Sequence, residues 1–199
     1  TMDNASNNNS LMVALSESLN TLDDTSYWDG DKQRIRCLPH IINLAVKALL
    51  KSLGDDGTVG NADKDDEHLI APASNVIKRL RFIIKKLRSS PDQKKKFLGQ
   101  CELANIDKLM LILDVPTRWN SNYYMINRAM KLREGLKNWL STDPSIGKTN
   151  LGNFQFSPDD WETLTTVSQL LEKFEVASTL MSGKTYPTLS LVMFLFIEL

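Results

Sequence analysis

The sequence has little of several features that would assign it to a class at once. Only two cysteines occur among 199 residues, which excludes a disulfide framework and favours a reducing compartment. The 24 basic and 24 acidic residues cancel, so an argument for a nucleic-acid partner must rest on local charge. The most apolar stretch, Leu189–Leu199, is too short to span a bilayer. The first residues do not have the basic and apolar segments of a signal peptide.

The apolar residues that are present recur mostly at helical spacing. They predict an early helix with a leucine face, a buried helix from about Pro39 to Leu53, an amphipathic helix over 76–87 and a long helix from Asn120 to Leu140. Another helix is expected to start with Ser157 as its cap and run to about Ser182, and a last helix begins near Thr188. The leucine face comprises Leu11, Leu15, Leu19 and Leu22, and the second helix is expected to bury Ile41, Leu44, Ala45, Ala48 and Leu49. Residues 34–37 are a candidate strand, and residues 109–113 are a strand or a helix.

These patterns divide the chain into four parts. Residues 1–53 show a strand–helix rhythm, and residues 71–115 form a basic helical connection. Between them, residues 54–70 are acidic and predict a flexible surface loop, whose charge is explained by solvation better than by a metal site. Residues 116–199 are expected to be helical.

Four groups of residues are candidates for chemistry. Asp3 precedes a helix, where a carboxylate either holds Mg²⁺ or caps the helix. The Cys37-Leu-Pro-His40 spacing suggests zinc, but the chain has too few further ligands nearby, so a buried cysteine and a histidine that ties strand end to helix start are preferred. Arg118-Trp119 at a helix start either grips a phosphate and stacks on a base, or is a buried tryptophan with Arg118 paired to Asp114.

The fourth group is the basic helix. It carries lysines and arginines over 78–88, and Lys94, Lys95 and Lys96 extend it. Such a stripe either contacts phosphates, with salt-dependent affinity, or is a solvated helix face.

Together and in this order, the motifs resemble those of hAT-superfamily DNA transposases. The resemblance rests on Thr1-Met-Asp3-Asn-Ala-Ser-Asn7, on Cys37-Leu-Pro-His40-Ile-Ile-Asn43-Leu44, on Asp114-Val-Pro-Thr-Arg118-Trp119-Asn120-Ser-Asn-Tyr123 and on Tyr186-Pro187-Thr-Leu189-Ser. It spans nearly the whole chain. It implies a mixed α/β, mostly helical fold: a partial RNase H-like core of strand–helix–strand–helix order in residues 1–53, and an incomplete all-α insertion domain in residues 116–199.

The resemblance also assigns roles. It implies that Asp3 is a catalytic, metal-binding acid, that His40, Arg118, Trp119 and Asn120 contact DNA, with Trp119 stacking on a flipped base, and that Cys37 and Asn43 order the region near the site. The implied cofactor is Mg²⁺ or Mn²⁺, and zinc is not expected in this part. The first catalytic aspartate, the catalytic glutamate, a BED-type zinc finger and a C-terminal dimerisation region would lie elsewhere in the protein.

The function that the resemblance implies is metal-dependent cleavage and strand transfer of transposon ends by the complete protein, a nuclear homo-oligomer that binds double-stranded DNA. This chain by itself lacks the full acid triad and is not expected to cut DNA. The alternative is a domesticated or decayed hAT-derived DNA-binding protein without catalysis. A helical interaction module with no nucleic-acid role has no need of Asp3, His40 and Trp119 together.

Overall fold

The computed structural model describes residues 6–22, 27–34, 36–55, 75–115, 118–142 and 154–182, and all regular elements in these ranges are helices. They are α1 (Ser6–Leu22), α2 (Gly30–Gln33), α3 (Leu38–Ser52), α4 (Val76–Ser89), α5 (Pro91–Leu103), α6 (Asn120–Lys131), α7 (Arg133–Thr142) and α8 (Pro158–Met181). The chain forms two compact units, one of residues 1–45 and 176–199 and the other of residues 46–175. None of the helices in the described ranges is long and apolar enough to cross a membrane.

The predicted strand–helix–strand–helix core is wrong for the residues that the structure describes. In the candidate strand over 34–37, the described residues 34 and 37 are irregular and Arg36 takes part in a single bridge, so these three form no strand. Ile35 lies outside the described residues. The apolar run over 109–113 is irregular, neither strand nor helix. A strand requires a partner for its backbone groups, and a short apolar run does not reveal whether a partner is available. The all-α part of the expected fold agrees with the structure.

In the first unit, α1 holds the following turn through two polar side chains. The Ser16 hydroxyl donates to the Met12 carbonyl and accepts from the Gly30 N–H, both at 2.9 Å. The Asn20 amide accepts from the Trp28 N–H at 2.8 Å and donates to the Trp28 carbonyl at 3.0 Å. The predicted leucine face is present on α1, but it is exposed.

Helix α3 confirms the predicted helix but buries a different stripe. Its buried residues are Leu38, Ile42, Val46 and Leu50, whereas Leu44 is 47% exposed. Both stripes recur at helical spacing, because the apolar residues of α3 cover a wide arc beside one polar face of His40, Asn43, Lys47 and Lys51, so periodicity does not identify the packed side. Two residues after the end of α3 stands Gly54, whose φ of +84° is the left-handed conformation that glycine adopts readily. The Asp55 N–H then bonds the Leu50 carbonyl at 2.8 Å.

In the second unit, α4 supplies the apolar core and α5 packs against α7. The close approach of α5 and α7 requires Gly135, where an added Cβ would lie 2.7 Å from the Cys101 sulfur. The buried Trp139 indole N–H donates to the Gln93 side chain at 3.1 Å. The predicted helix over 120–140 is divided at Leu132, where ψ of +19° interrupts the helix between α6 and α7.

Helix α8 begins where the sequence predicts. The Ser157 hydroxyl accepts the Asp160 N–H at 3.1 Å, and the Asp160 carboxylate accepts the Ser157 N–H at 2.8 Å. This reciprocal pair is a capping box that satisfies N–H groups of the first turn. The cap confirms Ser157 and Pro158 as the start of this helix, and the helix expected near Thr188 lies outside the described residues.

Candidate nucleic-acid interface

A fully buried arginine lies within the second unit. Arg81, on α4, donates to both oxygens of Asp114 at 2.8 Å, to both oxygens of Asp55 at 2.8 and 2.9 Å, and to the Asn122 side-chain oxygen at 3.0 Å. The side chains of Arg81, Asp55 and Asp114 are each 1% exposed. One guanidinium therefore joins the end of α3, the segment before the Arg-Trp motif and the first turn of α6.

The network places one positive charge between two negative charges in a dry site. Burial by itself would lower the pKa of Arg81, but hydrogen bonds and charge from Asp55 and Asp114 raise it above its ordinary value. Arg81 therefore stays charged. Both carboxylates are occupied by its N–H groups in a bidentate geometry, which suits arginine and not lysine.

The sequence did not predict this network. Arg81 was expected among the basic residues of a solvated or DNA-binding face and Asp55 in the acidic surface loop, yet both are buried. The available signal was the position of Arg81 four residues after Ile77 and three before Ile84, on the apolar side of α4. The rest of the acidic loop lies outside the described residues.

Two further arginines hold the irregular segment that precedes the motif. Arg88 of α4 donates to the Leu111 carbonyl at 2.7 Å, and Arg128 of α6 donates to the Met110 carbonyl at 3.0 Å. Side chains thus bond carbonyls that would be paired in a sheet. Since buried carbonyl groups need partners, these bonds explain how the irregular segment is held without a strand beside it.

The Arg-Trp motif forms a tight turn before α6. Val115 and Arg118 form an antiparallel bridge, in which the Arg118 N–H bonds the Val115 carbonyl at 2.9 Å. The Ser121 hydroxyl accepts the Val115 N–H at 2.7 Å and lies 2.9 Å from the Val115 carbonyl and 2.5 Å from the Arg118 carbonyl. These contacts fix the backbone on both sides of residues 116 and 117, which lie outside the described residues.

Arg118 is exposed at the start of α6. Among the described residues no carboxylate pairs with its guanidinium, so the interpretation in which Arg118 pairs with Asp114 is wrong: Asp114 is bound by Arg81. A cation near a helix N-terminus opposes the helix dipole. The placement of Arg118 therefore does not favour the stability of α6, and its side chain is available to an anion.

Trp119 lies next to it and is buried. Its ring is 4% exposed, and Phe174 of α8 lies edge-on to it, with ring centroids 6.4 Å apart. Nearby, the Tyr124 hydroxyl donates to Glu175 of α8 at 2.7 Å, and this hydrogen bond raises the pKa of Tyr124. Asn120 is the first residue of α6 and is half-buried. In this conformation the indole face is covered by protein.

Most of the predicted basic face of α4 is used within the protein. Arg79 pairs with Asp160 and lies over the Phe156 ring, and Lys86 lies 5.5 Å from the centre of the Phe82 ring. On α5, Lys96 pairs with Asp92 at 2.9 Å. A continuous phosphate-binding stripe is therefore not supported on this helix.

The Cys37–His40 motif lies at the start of α3. The Cys37 carbonyl accepts the N–H groups of His40 and Ile41, each at 3.1 Å, and Cys37, His40 and Asn43 are all half-buried. These three residues belong to the first unit, whereas Arg118, Trp119 and Asn120 belong to the second. Asp3 and the Tyr186-Pro187 motif lie outside the described residues.

The described residues do not provide a site for Mg²⁺. No three His, Cys, Asp or Glu side chains in the described ranges are grouped so that they could hold a metal ion. The two carboxylates that do converge, Asp55 and Asp114, bind the Arg81 guanidinium, which leaves no room for the hard cation and its waters. No metal-dependent step is therefore assigned to these residues.

The two cysteines are expected to differ in reactivity. Cys101 is fully buried against Gly135, and burial raises the pKa of its thiol, while Cys37 is half-exposed. Since the thiolate is the reactive form, a thiol reagent should label Cys37 in the folded protein and Cys101 only after denaturation. Counting labelled peptides by mass spectrometry, with Cys37→Ser as the control, tests this. Equal native labelling of both cysteines would contradict the packing of α5 against α7.

Comparison with known proteins places the chain in a family. The family model of the ZBED1 RNase-like helical domain matches residues 35–170. A putative AC transposase of Zea mays is 28% identical over 191 residues, which cover 96% of this chain and 21% of that protein. A putative transcriptional regulator, tpeD, of Talaromyces stipitatus is 26% identical over 189 residues, covering 92% of this chain and 21% of that protein.

A human relative extends the comparison beyond plants and fungi. Zinc finger BED domain-containing protein 4 of Homo sapiens is 24% identical over 154 residues, covering 77% of this chain and 11% of that protein. No solved structure matches the chain. The chain spans about a fifth of the length of the transposases that it matches. With most of its residues matched by the family model, the chain belongs to the ZBED1 RNase-like helical domain family and is related to hAT-type transposases.

Proposed function

We propose that this chain is a DNA-binding helical part of a hAT-type transposase or of a regulator derived from one, and that Arg118 contacts the DNA backbone. The observation that carries the proposal is the exposed Arg118 guanidinium on a turn held by Ser121 at the N-terminus of α6. A guanidinium offers two parallel donors to a phosphate, and a helix N-terminus adds a favourable field for an anion.

The proposal has two forms: the complete protein either cuts DNA or only binds it. The transposase relatives favour metal-dependent cleavage and strand transfer, and the relative named a putative transcriptional regulator favours binding without cleavage. Cleavage would need Asp3 and further acids outside the described residues, together with Mg²⁺ or Mn²⁺. In either form the partner is double-stranded DNA and the expected location is the nucleus. Self-association of the complete protein belongs to the same proposal.

The proposed stacking of a base on Trp119 requires a change from the structure described above. Trp119 is covered by Phe174, and Glu172 and Glu175 lie beside Tyr123 and Tyr124 of α6. A base can reach the indole only after Phe174 moves, and the acidic groups oppose a phosphate there. The proposal therefore assigns the first contact to Arg118 and base stacking to a later rearrangement.

Replacing Arg118 with alanine is expected to weaken DNA binding without unfolding the chain. One lost phosphate contact should lower affinity about three- to tenfold and reduce the slope of log affinity against log salt by about 0.9. The measurement is fluorescence anisotropy with a fluorescein-labelled duplex of about 20 base pairs, between about 50 and 200 mM salt. Lys131→Ala is the matched control, because Lys131 is exposed at the other end of α6, roughly 16 Å along the axis. Equal effects of both changes would assign the binding to general charge.

A further inference from the structure

We propose that the buried Arg81 is a positioning residue for DNA binding: through Asp114 and Asn122 it sets the conformation in which the intervening segment presents Arg118. This inference rests on the proposed contact of Arg118 with DNA. It identifies the residues that hold the contacting side chain in place, and these lie in the interior of the unit.

The Arg81 network bonds residues on both sides of the Arg118–Trp119 motif. Asp114 immediately precedes the turn and Asn122 follows it, and the Nη2 atom of Arg81 donates to both, at 2.8 and 3.0 Å. All three side chains are buried. The segment between Asp114 and Asn122 must therefore start and end at positions determined by one rigid guanidinium on α4.

The Ser121 hydroxyl supplies a second restraint inside the segment. It accepts the Val115 N–H and donates to the Arg118 carbonyl, so it holds the backbone of Arg118 directly. Ser121 thus restrains the segment from its exposed, outer side, whereas Arg81 restrains it from the buried side. A side chain on a segment that is already ordered loses less entropy on binding, so the restraint favours affinity without touching the DNA.

The chemistry of the network favours a positioning role over a purely stabilising one. A buried ion network is often no more stabilising than apolar residues of the same volume, because each charge loses its hydration. Directional hydrogen bonds, however, specify one geometry, which apolar packing does less strictly. At the position of Arg81 on α4, leucine or methionine would be enough to fill the space against this segment, but the position instead holds a directional hydrogen-bond network.

Asn122→Leu tests the inference, because leucine has nearly the shape of asparagine but removes the bond from Arg81 to α6. Arg81 Nη2 still has Asp55 and Asp114 as acceptors, so no donor is left unpaired. With the fluorescein-labelled duplex of about 20 base pairs, we expect about a three- to tenfold loss of affinity and a salt slope reduced by about 0.9, as for Arg118→Ala. In an Arg118→Ala background the same change should alter affinity less than about twofold.

A second variant and a control keep the result interpretable. Ser121→Ala removes the outer restraint at a half-buried position and is expected to reproduce the Asn122→Leu result. If Asn122→Leu lowers helicity by circular dichroism, Asn122→Ala, which removes the same bond from Arg81, takes its place. Arg79→Met is the matched control, since Arg79 is a buried arginine on the same helix that pairs with Asp160 of α8. Its affinity and salt slope should stay within about twofold of the unchanged protein.

The outcomes separate the two proposals. If Arg118→Ala leaves binding unchanged, the proposed DNA contact is wrong, and the inference that rests on it is wrong too. If Arg118→Ala weakens binding but the folded Asn122→Leu and Ser121→Ala variants bind normally, only the positioning role is overturned. The positioning role is also overturned if the affinity losses of Asn122→Leu and Arg118→Ala multiply in the double variant. Independent losses would show that Asn122→Leu does not act through Arg118.

Discussion

Replacing Arg81 with methionine is expected to lower the free energy of unfolding by about 3–5 kcal/mol. Methionine matches much of the arginine volume, but it leaves Asp55 and Asp114 buried without the cation that compensates them. Since a domain is stable by only about 5–15 kcal/mol, the variant should unfold at a much lower urea concentration. Urea titration followed by far-ultraviolet circular dichroism measures the change.

The matched control for this prediction is Arg79→Met. Arg79 also pairs with a carboxylate, but Asp160 keeps 20% of its side chain exposed and can be hydrated when the arginine is removed. The Arg79 Nε atom is also buried without a hydrogen-bond partner among the described residues, so its removal relieves a cost. We expect a loss of about 1–2 kcal/mol. Equal losses in the two variants would show that the Arg81 network is no more important than a peripheral ion pair.

Replacing Trp119 with alanine is expected to cost about 3–5 kcal/mol of stability, because it empties a fully packed site. The ring is 4% exposed and lies edge-on against Phe174, so the loss includes both buried area and the aromatic contact between α6 and α8. Thermal and urea unfolding of the variant would measure the loss.

Trp119→Phe shows how much of this stability an aromatic ring at the same position retains. Phenylalanine keeps an aromatic ring near Phe174, so a loss below about 1.5 kcal/mol is expected. Tyr27→Ala is the surface control, since Tyr27 is 82% exposed and its loss should stay within about 0.5 kcal/mol. If Trp119→Ala were as stable as Tyr27→Ala, Trp119 would not be part of the core. A role in base stacking is better tested with Trp119→Leu, because leucine keeps apolar bulk without a ring that stacks on bases, whereas the alanine variant confounds recognition with folding.

Helices were predicted well because their signals are local. Periodic apolar residues and turn or capping residues identified α3, α4 and α8, and the Ser157–Asp160 capping box has the expected bonds. The break at Leu132 was missed, since neither a proline nor a glycine marks it. The predicted strands failed for the opposite reason. A strand is specified by the neighbour that pairs with it, and the segment around Leu111 is bound by arginine side chains instead.

The motif in the sequence indicated which residues to consider as a candidate site, but it did not predict the contacts that hold them. The order of the Cys37–His40 and Arg118–Trp119 motifs indicated the family, which the family model confirms. The same motif did not reveal that Asp114 faces Arg81 and not Arg118, because the two arginines are equally charged and only the chain path decides which one is near. The roles of Asp3 and of the further acids that the resemblance implies stay predictions.

By itself, the sequence determined the helical periods, the caps and the family to which this protein belongs, since these depend on residues close together in the chain or on motifs in a given order. Only the tertiary structure decided which face of α3 is buried, that Trp119 is covered by Phe174, and that Asp55, Arg81, Asp114 and Asn122 form one network. These contacts join residues 26 to 55 positions apart. Burying a charge costs free energy through lost hydration unless an opposite charge and hydrogen bonds compensate it. Whether each charged residue is buried or exposed therefore depended on neighbours in the fold that the linear pattern does not specify.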